Sequence, residues 1–470
     1  MVEIAETLAH SRRAYLIAPA GCGKTYQIAR AVGYCEDGKQ LVLTHTHAGV
    51  RSLREKLKKS GMPSNRYEVE TIAGWALRIA AAYPTISGLG EFNPQVENNW
   101  PFVYTAATTL LSNKNIRKVI RVSYSGVFVD EYQDCTLCQH LLILALADLL
   151  PCKILGDPLQ GIFGFRKEDR LVDWDIDIDP CFERLPDLLT PWRWANGNNP
   201  PLGIRLIELR NAILNGEAFD FRKPPIRWIE KSFQSQINVC YRFIRENSGT
   251  VVAIRSFANV CHSTASRLGG KFSSMEELEC KDLMEAANQI ESCLGFDRAM
   301  AVIVFATECM TGVRSAIKTT CNAFEKGKVP VLKESSGYLE LRSALIQIAV
   351  DPDLNHVLVA LPLFRSIDGS HLFRKELWYE MIQALKTYIH GGYQTLREAA
   401  WAQRNNTKEL GRWIERRVVS RTLLVKGLEF DHSIVLDADE LKPRDLYVAM
   451  TRGAKSLTVL SANPIFLPRL

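Results

Sequence analysis

Short apolar, β-rich runs, most of them continuously apolar, alternate with helix-period segments through the first half of the chain. They fall at 15–18, 41–44, 67–70, 126–130 and 153–156. Unbroken apolarity over so short a run is what a strand buried on both faces of a parallel sheet requires. Between these runs, segments 50–59 and 137–149 read as helices, so the pattern predicts βαβ units. A second set of strand-like runs follows at 226–230, 250–255, 433–436 and 456–461. Between about 273 and 412 the alternation stops. Segments 275–293, 339–350 and 373–390 there have helical periodicity, with turn signals at Asp351-Pro352-Asp353 and Gly391-Gly392. The expected class is α/β, with two parallel-sheet domains and a helical insertion in the second. The expected boundaries are 1–185, 186–272 and 413–470 for the α/β parts and 273–412 for the insertion.

With 470 residues, 47% of them hydrophobic and 23% charged, the chain is neither a disordered polymer nor a fibrous repeat. Lys and Arg number 58 against 52 for Asp and Glu, a net charge of +6. That mild excess is compatible with a nucleic-acid partner without requiring one. The segment MVEIAETLAHSRR lacks the basic-then-apolar run of an export signal. The longest apolar stretch, 141–150, contains Asp148 and is too short to span a bilayer, so a cytoplasmic location is expected. The 12 cysteines follow no regular spacing and read as reduced thiols. Cys135 and Cys138 form a CxxC near His140, but a zinc site needs a second ligand pair; packing is the expected role. The acidic stretch 168–179 reads as a solvated crossing, and the basic run from Arg51 to Lys59 as a solvated helix face before a phosphate track.

The chemistry begins after the first predicted strand, where APAGCGKT (18–25) runs into a helix. It departs from GxxxxGK[ST] only by Ala18 at the first glycine. Ala20, Gly21, Cys22 and Gly23 would wrap phosphate oxygens with backbone N–H groups at a helix N-terminus. Lys24 would neutralise the β and γ phosphates, and Thr25 would hold Mg²⁺. The strand 127–129 ends in Asp130 and Glu131, a carboxylate for the metal and a second to polarise water. A further strand ends in Gly156-Asp157-Pro158-Leu159-Gln160, whose amide can sense a γ-phosphate without competing for a proton. Phe163, Phe165 and Arg166 follow, aromatics beside a cation that suit stacking on unpaired bases.

In this order the motifs resemble the superfamily 1 helicases of the UvrD/Rep/PcrA type, across both α/β halves. VDEYQD (129–134) and GDPLQGIFGFR (156–166) are similar to the second and third motifs of that family. The resemblance implies two RecA-like P-loop domains that hydrolyse ATP with Mg²⁺ to move along single-stranded DNA, 3′→5′. LTPWR (189–193) looks like the motif in which Trp192 would stack on adenine and Arg193 reach the γ-phosphate from across a cleft. KGLEFD (426–431) would place Glu429 near the ribose or γ-phosphate, and LYVAMTR (446–452) would supply Arg452 as a finger. Thr44 and Thr71 would open the two short DNA-backbone motifs, THTHAG and TIAGWA. Lys24, Glu131, Gln160, Arg193 and Arg452 would thus carry the reaction.

Some positions depart from the family pattern. Glu3 falls near the place of a glutamine that reads both adenine edges, and a carboxylate cannot donate to N7. His45, Ile72 and Ala73 replace aromatic and histidine residues of the DNA motifs, Leu423 stands where a histidine precedes KGLEFD, and Cys22 replaces a small hydroxyl residue. The insertions are also compact. Similar short UvrD-like proteins form the ATPase subunit of Gabija-type anti-phage systems, which gives an alternative expectation: a nucleotide-sensing, DNA-stimulated ATPase regulating a partner nuclease.

Overall fold

The structure, a computed structural model, describes residues 3–36, 38–90, 99–163, 169–246, 249–277, 279–410 and 412–468, with only the backbone of 408–410. The chain forms two compact units, one of Met1–Pro225, Lys442–Ser456 and Ile465–Leu470, the other of Ile226–Leu441 and Leu457–Pro464.

The first unit holds a six-stranded sheet of β1 (Arg13–Ile17), β2 (Gln40–Thr44), β3 (Tyr67–Thr71), β4 (Gly126–Val129), β5 (Cys152–Gly156) and β6 (Glu183–Arg184). Its order is β3-β2-β4-β5-β1-β6 and its pairings are parallel. The two-residue period of a strand divides the apolar runs between two cores. Tyr15, Leu41, Leu43, Val127, Val129 and Ile154 face Trp75, Val103, Leu142 and Leu146 of the helices Ile72–Ala82, Trp100–Leu110 and Leu137–Ala147. Leu16, Val42, Phe128 and Leu155 face Leu8, Ile28, Leu53 and Leu57 of the helices Ile4–His10, Lys24–Tyr34 and His47–Lys59. Helices on both faces explain why apolar residues point to both sides of the central strands. A small antiparallel ribbon joins β7 (Phe219–Asp220) to a strand near the end of the chain.

The second unit carries β8 (Arg227–Glu230), β9 (Val251–Arg255), β10 (Ser273–Ser274), β11 (Arg417–Arg421), β12 (Phe430–Val435) and most of β13 (Gly453–Ser461), before β14 (Ile465–Phe466) closes the ribbon. The order is β10-β11-β9-β12-β13-β8, and the pairs β10–β11, β11–β9, β9–β12 and β13–β8 are parallel. Between β10 and β11 the chain leaves the sheet for helices with a core of their own, including Leu283, Ile303, Leu345, Leu361 and Trp378. The protein is therefore α/β with two RecA-like parallel sheets, the second interrupted by a helical insertion. The helical segment expected from 275 begins later, at Lys281, because 273–274 add an edge strand. β11 escaped the sequence reading because charged residues at both ends of RVVSR break its apolar run.

Candidate active site

Because the strands of the first sheet run parallel, their C-terminal ends share one edge, where the connecting loops can converge. The P-loop follows β1, Asp130 and Glu131 follow β4, and Asp157 to Gln160 follow β5. Gly21 and Gly23 have φ of +72° and +86°, backbone that favours glycine. A Cβ on Gly21 would also lie 2.7 Å from the Trp194 ring. The helix Lys24–Tyr34 starts at the P-loop lysine. Lys24 is buried, with Nζ 2.6 Å from Glu131 Oε2 and 3.6 Å from Asp130 Oδ1. Burial acts to lower the Lys24 pKa, but the Glu131 and Asp130 charges together raise it above the ordinary lysine value. Burial pushes Asp130 up to about 6, with Lys24 opposing. Glu131 has φ of +57°, a left-handed conformation that costs about 1–3 kcal/mol for a residue with a side chain. Lys24 holds it, and so does Gln133, whose Nε2 donates to Glu131 Oε2 at 2.5 Å.

Behind these carboxylates lies a buried network that motif reading did not foresee. Asp157 is fully buried and accepts from the backbone N–H of Leu159, from Gln160 Nε2 at 3.1 Å, from Tyr447 Oη at 3.1 Å and from Arg210 Nη2 at 3.3 Å. Its own N–H donates to Gln133 Oε1 at 2.9 Å. The same Tyr447 oxygen accepts from the Ala20 N–H of the P-loop at 3.2 Å. A chain of hydrogen bonds therefore runs from the phosphate loop through Tyr447 and Asp157 to Gln160. Tyr447 carried a signal, standing five residues before Arg452 within LYVAMTR; Arg210 lies in an ordinary helix and carried none.

Residues 101–170 match the family model of the UvrD/REP helicase N-terminal domain. The matched segment contains Asp130, Glu131, Gln133, Asp157 and Gln160. No curated protein matches the chain. Among solved structures it is similar to the arterivirus nonstructural protein 10 helicase with DNA, at 16% identity over 53% of this chain and 49% of that one, TM-score 0.28. It is also similar to the Pif1 helicase of Candida albicans, at 12% identity over 58% and 56%, TM-score 0.31. The chain spans about half the length of these structures.

Outside the matched segment, Trp192 and Arg193 stand against the P-loop within the same compact unit. The Arg193 N–H donates to Gly21 O at 3.1 Å, and the exposed Trp192 ring would lie 3.3 Å from a Cβ on Gly23. Arg193 Nη1 donates to Thr451 O at 2.7 Å. Arg452 belongs to this unit too and is buried, its Nε donating to Val448 O and its Nη2 to Thr451 Oγ1. Arg193 and Arg452 were expected across a cleft from the P-loop; both are in its own unit. Glu429 is exposed in the second unit. Thr25 stands next to Lys24 in the first turn of the P-loop helix. A hydroxyl there and a buried carboxylate at Asp130 form a hard-oxygen pair that fits Mg²⁺.

Thr44 and Thr71 end the neighbouring strands β2 and β3 in register with each other. Both are buried, and Thr71 Oγ1 accepts from the Gly74 N–H as a helix cap. Phe163 is part-exposed; Phe165 and Arg166 lie outside the described residues. The cations of Arg51 to Lys59 are on the solvent side of a helix that buries Val50, Leu53 and Leu57. The Glu3 carboxylate is taken by Arg30 Nη2 and the Tyr34 hydroxyl, each at 2.7 Å. Cys22 is packed, its thiol pushed up to about 12 by burial. Cys135 meets His45 and His140 meets Tyr132. All twelve cysteines are unpaired, and no helix among the described residues is long and apolar enough to cross a membrane.

Proposed function

We infer that this protein is an ATP hydrolase of the UvrD-like helicase type that moves along single-stranded DNA, 3′→5′. The observation that carries the reading is Lys24 of the P-loop lying 2.6 Å from Glu131, inside the segment that matches a helicase family. In the reaction, Lys24 leaves its carboxylate partners for the β and γ phosphates, and Glu131 is freed to accept the proton of the attacking water. Thr25 and Asp130 would hold Mg²⁺, which supplies Lewis-acid charge at the phosphates when bound. Gln160 orients the water or the γ-phosphate; Arg193 and Arg452 balance charge on the transferred group. Trp192 stacks on the adenine and Glu429 contacts the ribose side. Thr44, Thr71, Phe163, Phe165 and Arg166 engage the strand.

The test is steady-state ATP turnover with Mg²⁺, with and without single-stranded DNA, for the wild type and Glu131→Gln. DNA stimulation is expected in the wild type, together with a loss of about 10²-fold or more in the variant, the scale of a removed general base, while nucleotide binding persists. Turnover indifferent to DNA would overturn the motor reading.

A further inference from the structure

The first unit contains a cavity of about 710 Å³, within the range of small-ligand sites. It is bounded by β1, by the segment 170–179 and by the helices Pro200–Asn215 and Pro443–Met450, which pack against each other. Lys24, Asp130, Glu131 and Gln160 are not in its walls. Its two aromatic side chains, Tyr15 and Trp174, are 2% and 9% exposed. The cavity therefore offers no open ring on which a base could stack.

Its walls carry charges of both signs, and most of these are already paired. Arg170 donates to Asp177 from Nη1 and Nη2 at 2.7 and 2.9 Å, and Arg184 meets Asp187 at 3.2 Å. Asp179 accepts from the Tyr15 hydroxyl, and Asp173 Oδ1 accepts from the N–H groups of Asp175 and Ile176. Two guanidiniums are left with donors to give. Arg444 is exposed and makes no ion pair or hydrogen bond with any described residue. Arg210 is only 5% exposed, and its Nε and Nη2 both reach Asp157 Oδ1, at 3.4 and 3.3 Å. Its Nη1 has no described partner, and it is not among the unpartnered side-chain nitrogens sealed from solvent. Asn211, next on the same helix, adds an exposed amide, and Asp175 is the one lining carboxylate with no described partner for its oxygens. A nine-tenths buried cation with a donor in hand calls for an anionic acceptor. Guanidinium forks match the oxygens of phosphate or carboxylate. Donors arriving from two helices favour the tetrahedral anion, which has oxygens on every side, over the flat one.

We propose that this cavity is a phosphate-binding site, in which Arg210 Nη1 and the Arg444 guanidinium hold the oxygens of a phosphoryl group beside the Asn211 amide. The group is free phosphate, alone or on a small molecule, or a phosphate of a DNA backbone; only the last source rests on the single-strand reading above.

The test is calorimetric titration of the full chain with inorganic phosphate at fixed ionic strength. Binding is expected in the wild type and in Lys24→Met, which removes the phosphate ligand of the P-loop. It is expected to weaken about tenfold or more in Arg444→Ala, the scale of a hydrogen bond to a charged group. Arg444 is exposed, so its replacement leaves the fold intact. Arg210 is kept, because removing it would strand the buried Asp157. Absence of binding in the wild type overturns the site, as does affinity unchanged in Arg444→Ala. Binding that vanishes in a folded Lys24→Met while surviving in Arg444→Ala belongs to the P-loop and overturns it too; where Lys24→Met does not fold, Arg444→Ala decides alone. Acetate held as tightly as phosphate overturns the choice of anion. Repeating the titration with saturating single-stranded DNA separates the sources, and the site stands in both cases. Displaced phosphate names the strand backbone as occupant, and undisturbed binding names phosphate free or on a small molecule.

Discussion

Glu131 and Tyr447 have distinct roles at the same sheet edge. Glu131 sits in strained backbone because Lys24 and Gln133 hold its carboxylate from two sides. Tyr447 holds the loop that presents Lys24. Its hydroxyl is at once the acceptor for Ala20 and a donor to Asp157. Tyr447→Phe is expected to cost about 1–3 kcal/mol, because it strips partners from two buried groups. Urea unfolding reads the stability loss, and a rise in KM for ATP reads the loosened phosphate loop. An unchanged KM would show that Tyr447 serves only packing. At Gly21, a methyl group would meet the Trp194 ring in backbone that already favours glycine. Gly21→Ala should therefore abolish nucleotide binding, measured by equilibrium titration, while Cys22→Ala at the next position leaves it close to wild type.

Among elements, the helix Leu396–Leu410 is tied into the insertion by a buried guanidinium. Arg404 is 2% exposed and pairs with Glu376 at 2.6 Å and Glu380 at 2.7 Å, and it also donates to Glu277 O. Removing one member of such a cluster strands the other charges, at about 3–5 kcal/mol. Arg404→Ala is expected to unfold the insertion before the first unit. Hydrogen exchange would detect this as lost protection confined to the insertion helices; uniform loss across the chain would contradict it. The sequence marked the insertion as helical from segments 275–293, 339–350 and 373–390, because helical periodicity needs no tertiary information. It did not reveal the Arg404 cluster, since a surface arginine and a buried one are the same letter until the helices pack.

Across the whole molecule, buried thiols give a pH response. Cys22, Cys152 and Cys240 are each pushed up to about 12, chiefly by burial, from an ordinary value of 9.0. The folded chain keeps these protons where the unfolded chain releases them. The stability they contribute is complete below about pH 9 and is lost as the pH rises toward 12. Midpoints of urea unfolding measured from about pH 8 to 10.5 should fall across that window, and Cys240→Ala should flatten the fall. A midpoint constant above pH 9 would count against protonated, buried thiols.

By itself the sequence determined the alternation of strand and helix through the first half of the chain, the P-loop and the carboxylate pair. These depend on local period and on spacing along a single strand–loop–helix unit, which neighbouring residues fix between them. The tertiary structure decided which distant groups meet. Asp157 and Tyr447 are 290 residues apart, and only the fold of the first unit makes them hydrogen-bond partners. Arg193 and Arg452 likewise share the compact unit of the P-loop, although they were expected across a cleft from it. Such contacts follow from how sheets and helices pack, a long-range property that no window of sequence contains.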